Sequence, residues 1–293
     1  MNKINKKNKN IKVVSTSTSC LDHCFYDIGD IDLVRIRIYI NKKEYIDGKT
    51  IKTKDFYNIL SKKNNLDIKT SQPPIGELVC YFNDIAKKGY QTAFVTTLSK
   101  KLSGSYNTIC QVQKQLKDKI NIIVYNTNTV CFSEGYFALE ARRLFDRGAS
   151  IEEVTQHLDF IKKNNTIFFI VGTLKQLIRN GRLSKTKGFL GRLLRIKPIL
   201  QVNDKGEIVL IEKRITIDKV FASILDKIKK YTANKKFLIH LLTAGYTPFK
   251  EKFKTLLEKE FNLKNIIEIP STPSIGAHIG DNALGVGIII LKP

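Results

Sequence analysis

The sequence contains no tryptophan, a single methionine and no apolar run long enough to cross a membrane. Its longest apolar runs, 167–171 and 285–290, have the length of strands, whereas a membrane-spanning helix needs roughly 20 apolar residues. No apolar stretch of signal-peptide length follows the basic N-terminus. We therefore expect a cytoplasmic protein in which residues 1–10 form a disordered basic tail.

Cysteine is too sparse and too scattered for a disulfide framework, because the five cysteines are odd in number and lie far apart. Cys20 and Cys24 are close together with His23 between them, but no further ligand follows that would complete a zinc site. The nucleotide-binding patterns GxGxxG and GxxxxGKS/T are also missing. These absences predict a protein with no metal site and no cofactor.

Acidic residues are scarce relative to basic ones, since 27 Asp and Glu stand against 50 Lys and Arg, and the formal net charge is +23. Three kinds of partner fit such a charge: a nucleic acid, an anionic membrane surface or an acidic protein. A compositional bias towards lysine and asparagine explains the same excess without any partner. The basic segment 173–203 lacks the interleaved aromatic residues of a stacking platform. We expect no nucleic-acid partner and leave transient contact with an anionic membrane open.

Short apolar stretches alternate with segments of helical periodicity along the chain after its tail. This alternation is typical of an α/β protein with parallel sheets and helical crossovers. A strand restarts after a change in composition, and we predict two α/β domains, at 11–165 and 166–293. More locally, we predict a strand over 32–40 and a helix over 151–163 that opens with a capping box at Ser150.

A hydroxyl-rich loop, TTLSKKLSGS, covers residues 96–105, where a predicted strand leads into a helix. No histidine or carboxylate stands nearby to activate a serine nucleophile. The pattern GxSxG is absent, so a serine hydrolase or acyltransferase would have to combine Ser103 with a distant base such as His278. Hydroxyls and backbone N–H groups at a helix start also bind anions, and they equally serve as a simple helix cap.

Two further stretches allow the same two interpretations. TSQPP, residues 70–74, directs Thr70 and Ser71 towards the start of a predicted helix. GAHIG, residues 276–280, places a histidine between small residues in a predicted loop, where a ligand can approach the backbone. Each stretch fits an anion site, and each also fits ordinary turn and capping chemistry.

Together, four stretches in this order resemble the DegV family: TSQPP, the segment with LSGS, RNGRLS followed by GRLLRIKPIL, and GAHIG. The resemblance implies two α/β domains with parallel or mixed sheets and a tunnel for a long-chain fatty acid between or beside them. It implies a lipid-binding subunit without turnover of its own, which presents the acid to a separate fatty acid kinase subunit that uses ATP and magnesium. The resulting acyl phosphate would pass on to phospholipid synthesis.

The resemblance also implies roles for individual residues. Thr70, Ser103 and His278 are expected to bind the fatty-acid carboxylate, with Gly104 offering its N–H group. Neutral donors suit this task because they satisfy the carboxylate oxygens without a cationic clamp. Supporting or partner-facing roles are expected for a second set, Ser71, Ser99, Arg182 and Arg195. No residue is expected to be catalytic.

The chain departs from the family pattern in three places. Thr16 stands where the family's first loop usually has an aspartate, so the pocket entrance is expected to differ there. Asp281 and Asn282 follow Gly280, where Gly-Pro-Gly is usual, and Ser105 replaces a threonine after LSG. None of these changes removes an expected carboxylate donor.

Overall fold

A computed structural model gives the structure of residues 10–62, 66–184 and 196–292. Thirteen strands lie within these ranges: β1 (Ile11–Thr16), β2 (Asp32–Val34), β3 (Arg37–Ile40), β4 (Lys43–Ile46), β5 (Ile68–Ser71), β6 (Thr92–Thr97), β7 (Asn121–Asn126), β8 (Asn165–Val171), β9 (Lys197–Val202), β10 (Ile208–Arg214), β11 (Phe237–Gly245), β12 (Ile267–Pro270) and β13 (Asn282–Ile290).

Nine α-helices lie within the same ranges: α1 (Thr53–Lys62), α2 (Ile75–Lys87), α3 (Ser105–Gln115), α4 (Phe132–Asp146), α5 (Ile151–Lys163), α6 (Lys175–Arg179), α7 (Ile217–Thr232), α8 (Lys250–Phe261) and α9 (Pro273–Ile279). None of these helices is long and apolar enough to span a membrane. The predicted helix over 151–163 is confirmed together with its capping box, in which Ser150 and Glu153 hydrogen-bond each other's backbone N–H groups.

Three sheets organise the strands. One is four-stranded and parallel, in the order β2-β1-β6-β7, and one is six-stranded, in the order β10-β9-β8-β13-β11-β12. The third is antiparallel, in the order β4-β3-β5. In the six-stranded sheet β11 and β12 are parallel and the other neighbours are antiparallel. The predicted α/β class with parallel and mixed sheets is therefore confirmed, while the division into two domains stays a prediction.

The hydrophobic core is built around two largely buried strands, β6 and β13. All six residues of β6 are buried between β1 and β7, as expected for a parallel strand covered by helices on both faces. In the six-stranded sheet the central strand β13 is buried from Ala283 to Ile290. Buried side chains of both strands belong to the apolar clusters that form the core on the two sheets.

The predicted single strand over 32–40 is wrong. The chain forms β2, leaves the parallel sheet and enters the antiparallel sheet as β3. At the change of sheet the Ile36 N–H donates to the hydroxyl of Ser17 rather than to a strand. Alternating apolar residues on both sides of this point disguised the break, because the period of two is the same in either sheet.

The predicted loop around 276–280 is also wrong, since residues 273–279 form α9. Pro273 occupies the first turn, where its missing N–H costs nothing. Gly280 ends the helix with a φ of +83°, a conformation that favours glycine. Gly276 lets α9 lie directly against α1, because a Cβ at this position would stand 2.7 Å from the ring of Phe56 and 2.7 Å from the hydroxyl oxygen of Tyr57.

We predict that Gly276→Ala destabilises the protein by about 1–3 kcal/mol, because two buried rings must move to admit one methyl group. Gly76→Ala is the matched control, since nothing lies within 4 Å of a Cβ built there, and alanine favours the helix by up to about 1 kcal/mol. Urea unfolding followed by circular dichroism measures both. Equal midpoints for the two variants would show that α9 does not depend on this close approach.

Candidate functional site

A cavity lies between the six-stranded sheet and the loops that follow the strands of the parallel sheet. Loops at the carboxyl ends of parallel strands are the usual place for ligands in α/β folds. The cavity has an empty volume of about 840 Å³, counting the space at its open mouth. Its wall is mainly apolar and includes Leu98, Leu102, Val130, Phe169, Leu242 and Ile275. It therefore offers a long apolar ligand mainly apolar contacts.

Thr70 and His278 meet in the wall of this cavity although 208 residues separate them. Thr70 is the third of the four residues of β5, and His278 lies in the last turn of α9. The Thr70 hydroxyl and the His278 Nε2 atom are 2.9 Å apart. The structure thus brings two of the expected carboxylate-binding residues into direct contact.

Ser103 lines the same cavity from the loop after β6. Its hydroxyl lies 3.0 Å from that of Ser105 and accepts the Ser105 N–H. Gly104 is the N-cap of α3 and lies outside the cavity lining, next to Gln72, whose side-chain oxygen would be 3.2 Å from a Cβ at this position. The close approach of Gln72 to Gly104 joins the TSQPP and LSGS segments, so that both deliver a hydroxyl to one cavity.

Arg182 is the one residue with a full charge among the described residues that line the cavity. Its Nε donates to the carbonyl of Leu102 at 3.1 Å, and its Nη1 donates to the carbonyl of Asn180 at 2.5 Å. Burial lowers the pKa of this guanidinium, which nevertheless remains charged at neutral pH. Arg182 therefore ties the turn after α6 to the LSGS loop and places a positive charge at the cavity.

His278 is neutral at physiological pH. Burial, with the positive charge of Arg182 adding to it, lowers the pKa of His278 to about 4. A neutral imidazole has one N–H group. If Nε2 donates to Thr70, the Thr70 hydroxyl keeps its proton for another acceptor. If Thr70 donates, the proton resides on Nδ1, which has no partner among the described residues. Either arrangement leaves the pair with one free donor.

The remaining predicted residues lie elsewhere. Ser71 is partly buried at the last position of β5, outside the cavity lining. Ser99 is buried, and its hydroxyl donates to the carbonyl of Gly206 at 2.7 Å and accepts the Lys101 N–H. Arg195 lies outside the described residues. The structure thus gathers Thr70, Ser103, His278 and Arg182 around one cavity, whereas Ser71, Ser99 and Gly104 are not part of its lining.

A buried carboxyl group that the sequence did not reveal stands behind another part of the wall. Glu134, in the first turn of α4, is fully buried. The Thr16 hydroxyl lies 2.5 Å from its Oε1 atom, and the Thr18 hydroxyl lies 2.6 Å from its Oε2 atom. Thr16, which replaces the aspartate expected from the resemblance, therefore hydrogen-bonds a carboxyl group that comes from α4. In the sequence Glu134 looked like an ordinary first-turn acid.

The contacts of Glu134 indicate that it is protonated. The hydroxyls of Thr16 and Thr18 are themselves 2.6 Å apart, so three oxygen-to-oxygen contacts link the three side chains. Two hydroxyl protons cannot fill three contacts, whereas a protonated carboxyl group completes a closed ring. Burial raises the pKa of Glu134 to about 8, against the lowering effect of the bonds from Thr16 and Thr18. The number of protons that the three contacts require and the raised pKa of Glu134 therefore both indicate a protonated carboxyl group.

Asp47 is a second buried acid, in a sequence, DG, that reads as a simple turn. Its Oδ2 accepts hydrogen bonds from Ser17 at 2.8 Å and from Ser274 at 2.5 Å. Burial raises its pKa to about 6, against the lowering effect of these two bonds. Within the described part of the chain, no group of three or more His, Cys, Asp or Glu residues is arranged to hold a metal ion.

Comparisons with known proteins agree on one family. The family model for DegV, a family of uncharacterised proteins, matches residues 10–291. A DegV domain-containing protein of Listeria innocua serovar 6a is 33% identical over 284 residues, which cover 95% of this chain and 98% of that protein. A DegV domain-containing protein of Staphylococcus aureus strain N315 is 30% identical over 281 residues, which cover 96% of this chain and 98% of that protein.

Solved structures share the whole fold. The structure of DegV from Bacillus subtilis, described as a fatty acid binding protein, is 27% identical with a TM-score of 0.83 and covers 96% of this chain and 99% of that one. A stearic acid-binding protein from Eubacterium ventriosum is 24% identical with a TM-score of 0.86, and the match covers 96% of this chain and 98% of that one. At that identity the second likeness shows the fold alone.

The protonated state of Glu134 predicts a distinctive pH dependence of stability. Because its pKa is about 8 in the folded protein and near 4.5 when unfolded, the folded state holds the proton more tightly between these values. Its contribution to stability is complete below pH 4.5, falls by at most about 1.4 kcal/mol per pH unit as pH rises, and is lost above pH 8.

Glu134→Gln removes the titration but preserves a neutral donor and acceptor. Urea unfolding of both proteins between pH 5 and pH 8 should show wild type losing stability relative to the variant as pH rises. A difference that is constant over this range would show that Glu134 is ionised in the folded protein.

Proposed function

The chain belongs to the DegV family, and from this premise we propose that it binds a long-chain fatty acid in the cavity, with the carboxylate held by Thr70, Ser103 and His278. The observation that carries the proposal is the convergence of these three polar residues on one apolar cavity. Their sequence positions lie on three different elements, so the convergence is a property of the fold. The relative from Bacillus subtilis, described as a fatty acid binding protein, supports the same ligand class.

The chemistry of the cavity suits this ligand at both ends. Each methylene group that leaves water for the apolar wall contributes about 0.8 kcal/mol, so a long acyl chain binds strongly without any charge. The carboxylate, by contrast, must exchange water for hydrogen bonds of equal quality. The Thr70–His278 pair supplies one free donor, and the Ser103 hydroxyl supplies another near the start of α3. Arg182 adds an attractive positive charge without being needed as a direct clamp.

The same geometry favours a carrier over a serine hydrolase or acyltransferase. A nucleophilic serine needs a base within hydrogen-bond reach. The Ser103 hydroxyl instead contacts Ser105, and the imidazole of His278 contacts Thr70. No hydrogen bond in the described ranges joins Ser103 to a histidine. These contacts support anion binding rather than nucleophilic catalysis as the role of the hydroxyl groups.

We further propose that the bound acid is phosphorylated by a separate kinase subunit. A carboxylate held by neutral donors keeps lone-pair density with which an oxygen attacks the γ-phosphorus of ATP, and ADP leaves. ATP and magnesium would reside on the partner, and the acyl phosphate would serve phospholipid synthesis in the cytoplasm. The net charge of +23 favours transient contact with anionic membrane, where the acid is exchanged.

Removing one carboxylate donor should weaken binding measurably. Thr70→Val and Ser103→Ala should each reduce oleate affinity about 10- to 100-fold, because a hydrogen bond to a charged group is worth about 1.5–3 kcal/mol. Thr255→Val is the matched control, since Thr255 is exposed on α8 and is not part of the cavity lining. Isothermal titration of delipidated protein measures all three. Wild-type affinity in the Thr70→Val/Ser103→Ala double variant would contradict the assigned carboxylate site.

The role as a carrier predicts dependence on a second protein. With oleate, magnesium and γ-labelled ATP, label should reach the acid only when this protein and a bacterial fatty acid kinase subunit are both present. A fluorophosphonate should leave Ser103 unmodified, because nothing activates it. Phosphorylation of oleate at the same rate without this protein would refute presentation, and stoichiometric labelling of Ser103 would favour the hydrolase instead.

A further inference from the structure

Three hydroxyl side chains line the cavity away from the proposed carboxylate site. We call Thr18, Ser271 and Ser274 the inner hydroxyl group. They are 4%, 2% and 2% exposed, whereas Thr70, Ser103 and His278 are only partly buried, so the inner hydroxyl group lies deeper in the protein. An unsubstituted acyl chain makes no use of it.

The position of the inner hydroxyl group relative to the carboxylate site follows from α9. Ser274 and His278 are four residues apart on this helix, on the same face, and both line the cavity. Four residues advance a helix by about 6 Å. A ligand whose carboxylate rests at His278 therefore passes the inner hydroxyl group a few carbon atoms along its chain.

The inner hydroxyl group retains unused acceptor positions. In the closed ring with Thr16 and protonated Glu134, the Thr18 hydroxyl accepts one bond and donates one, which leaves one lone pair free. Ser274 donates to Asp47 and is 3.1 Å from the Thr272 hydroxyl, which is left to act as donor. One lone pair of Ser274 is thus also free.

The inner hydroxyl group also has a free donor, the Ser271 hydroxyl, and the nearby acceptor Oδ1 of Asp47 has no hydrogen bond in the part of the chain that the structure describes. The backbone of Ser271 is engaged, since its carbonyl accepts from Tyr57 and its N–H donates to Thr243. Its hydroxyl has no partner among the described residues. Behind Ser274, the Oδ1 atom of Asp47 is buried and likewise unpartnered in the described ranges. Buried polar groups in folded proteins are nearly always hydrogen-bonded, so this concentration of unused capacity calls for a ligand atom or water.

We propose that the cavity accepts a long-chain acid carrying a hydroxyl group a few carbons from its carboxyl end, and that Thr18, Ser271 and Ser274 bind this hydroxyl. The inference rests on the proposed fatty-acid function and names the class of acid. A hydroxyl donates one proton and accepts others, which matches a site with free acceptors at Thr18 and Ser274 and a free donor at Ser271. A keto oxygen accepts only and would satisfy Ser271 alone. A methylene group satisfies none of them, and sites built for a hydroxyl discriminate against ligands that lack it.

The test compares stearic acid with hydroxystearic acids whose hydroxyl lies near the carboxyl end, at mid-chain or near the methyl end, by titration into delipidated wild-type protein. We expect an acid hydroxylated near the carboxyl end to bind about tenfold tighter than stearic acid, the gain of one good hydrogen bond pair. Hydroxyls near the methyl end should weaken binding, because they are buried in the apolar wall.

Variants then assign the effect. Ser271→Ala should bring the affinity ratio of hydroxylated to plain acid close to one, whereas the exposed Thr255→Val control keeps the wild-type ratio. Stearic acid binding as tightly as every hydroxylated acid would overturn the inference and leave the proposed function standing. A ratio that survives Ser271→Ala would overturn the assignment to these residues. Failure of wild type to bind any of the acids would refute the proposed function, and the inference with it.

Discussion

A carboxyl group that is taken out of water must keep its oxygen atoms hydrogen-bonded, and this constraint shapes the centre of the protein. Glu134 satisfies this constraint because it is protonated and forms a closed ring of hydrogen bonds with Thr16 and Thr18. Asp47 meets it on one oxygen through Ser17 and Ser274. The proposed ligand carboxylate would meet it through Thr70, Ser103 and His278. Neutral donors surround the cavity at each of these places, and the arrangement avoids burying cations whose desolvation is costly.

The sheets explain why such donors converge. The loops after β1, β6 and β7 leave the parallel sheet at one edge and bring Thr18, Ser103 and Val130 to the cavity. The six-stranded sheet faces these loops with apolar side chains of β8, β9 and β11. The short helix α9 completes the wall and carries both Ser274 and His278. Loops, β5 and α9 therefore supply all the hydroxyl groups of the wall together with part of its apolar surface, and the six-stranded sheet supplies only apolar surface.

Neutral donors have a consequence for a carrier. A lysine or arginine clamp would hold a carboxylate more tightly, but it would also withdraw the electron density that a later reaction needs. In the structure the Nε and Nη1 groups of Arg182 donate hydrogen bonds to the carbonyls of Leu102 and Asn180. Its charge still contributes to the electrostatic potential of the cavity and helps to keep His278 neutral. Such a site suits the proposed role of holding an acid for a second protein.

Local pattern alone determined the α/β class, the capping box at Ser150 and the segments that carry Thr70, Ser103 and His278, because periodicity, caps and short motifs are properties of neighbouring residues. It misjudged 32–40 and 276–280, where the same local pattern fits two structures and packing chooses between them. Glu134 and Asp47 gave no signal at all, since a first-turn acid and a DG turn are ordinary on a surface. Their burial beside the hydroxyls of Thr16, Ser17, Thr18 and Ser274 was decided by tertiary structure, because only the folded chain removes them from water and supplies partners from distant elements.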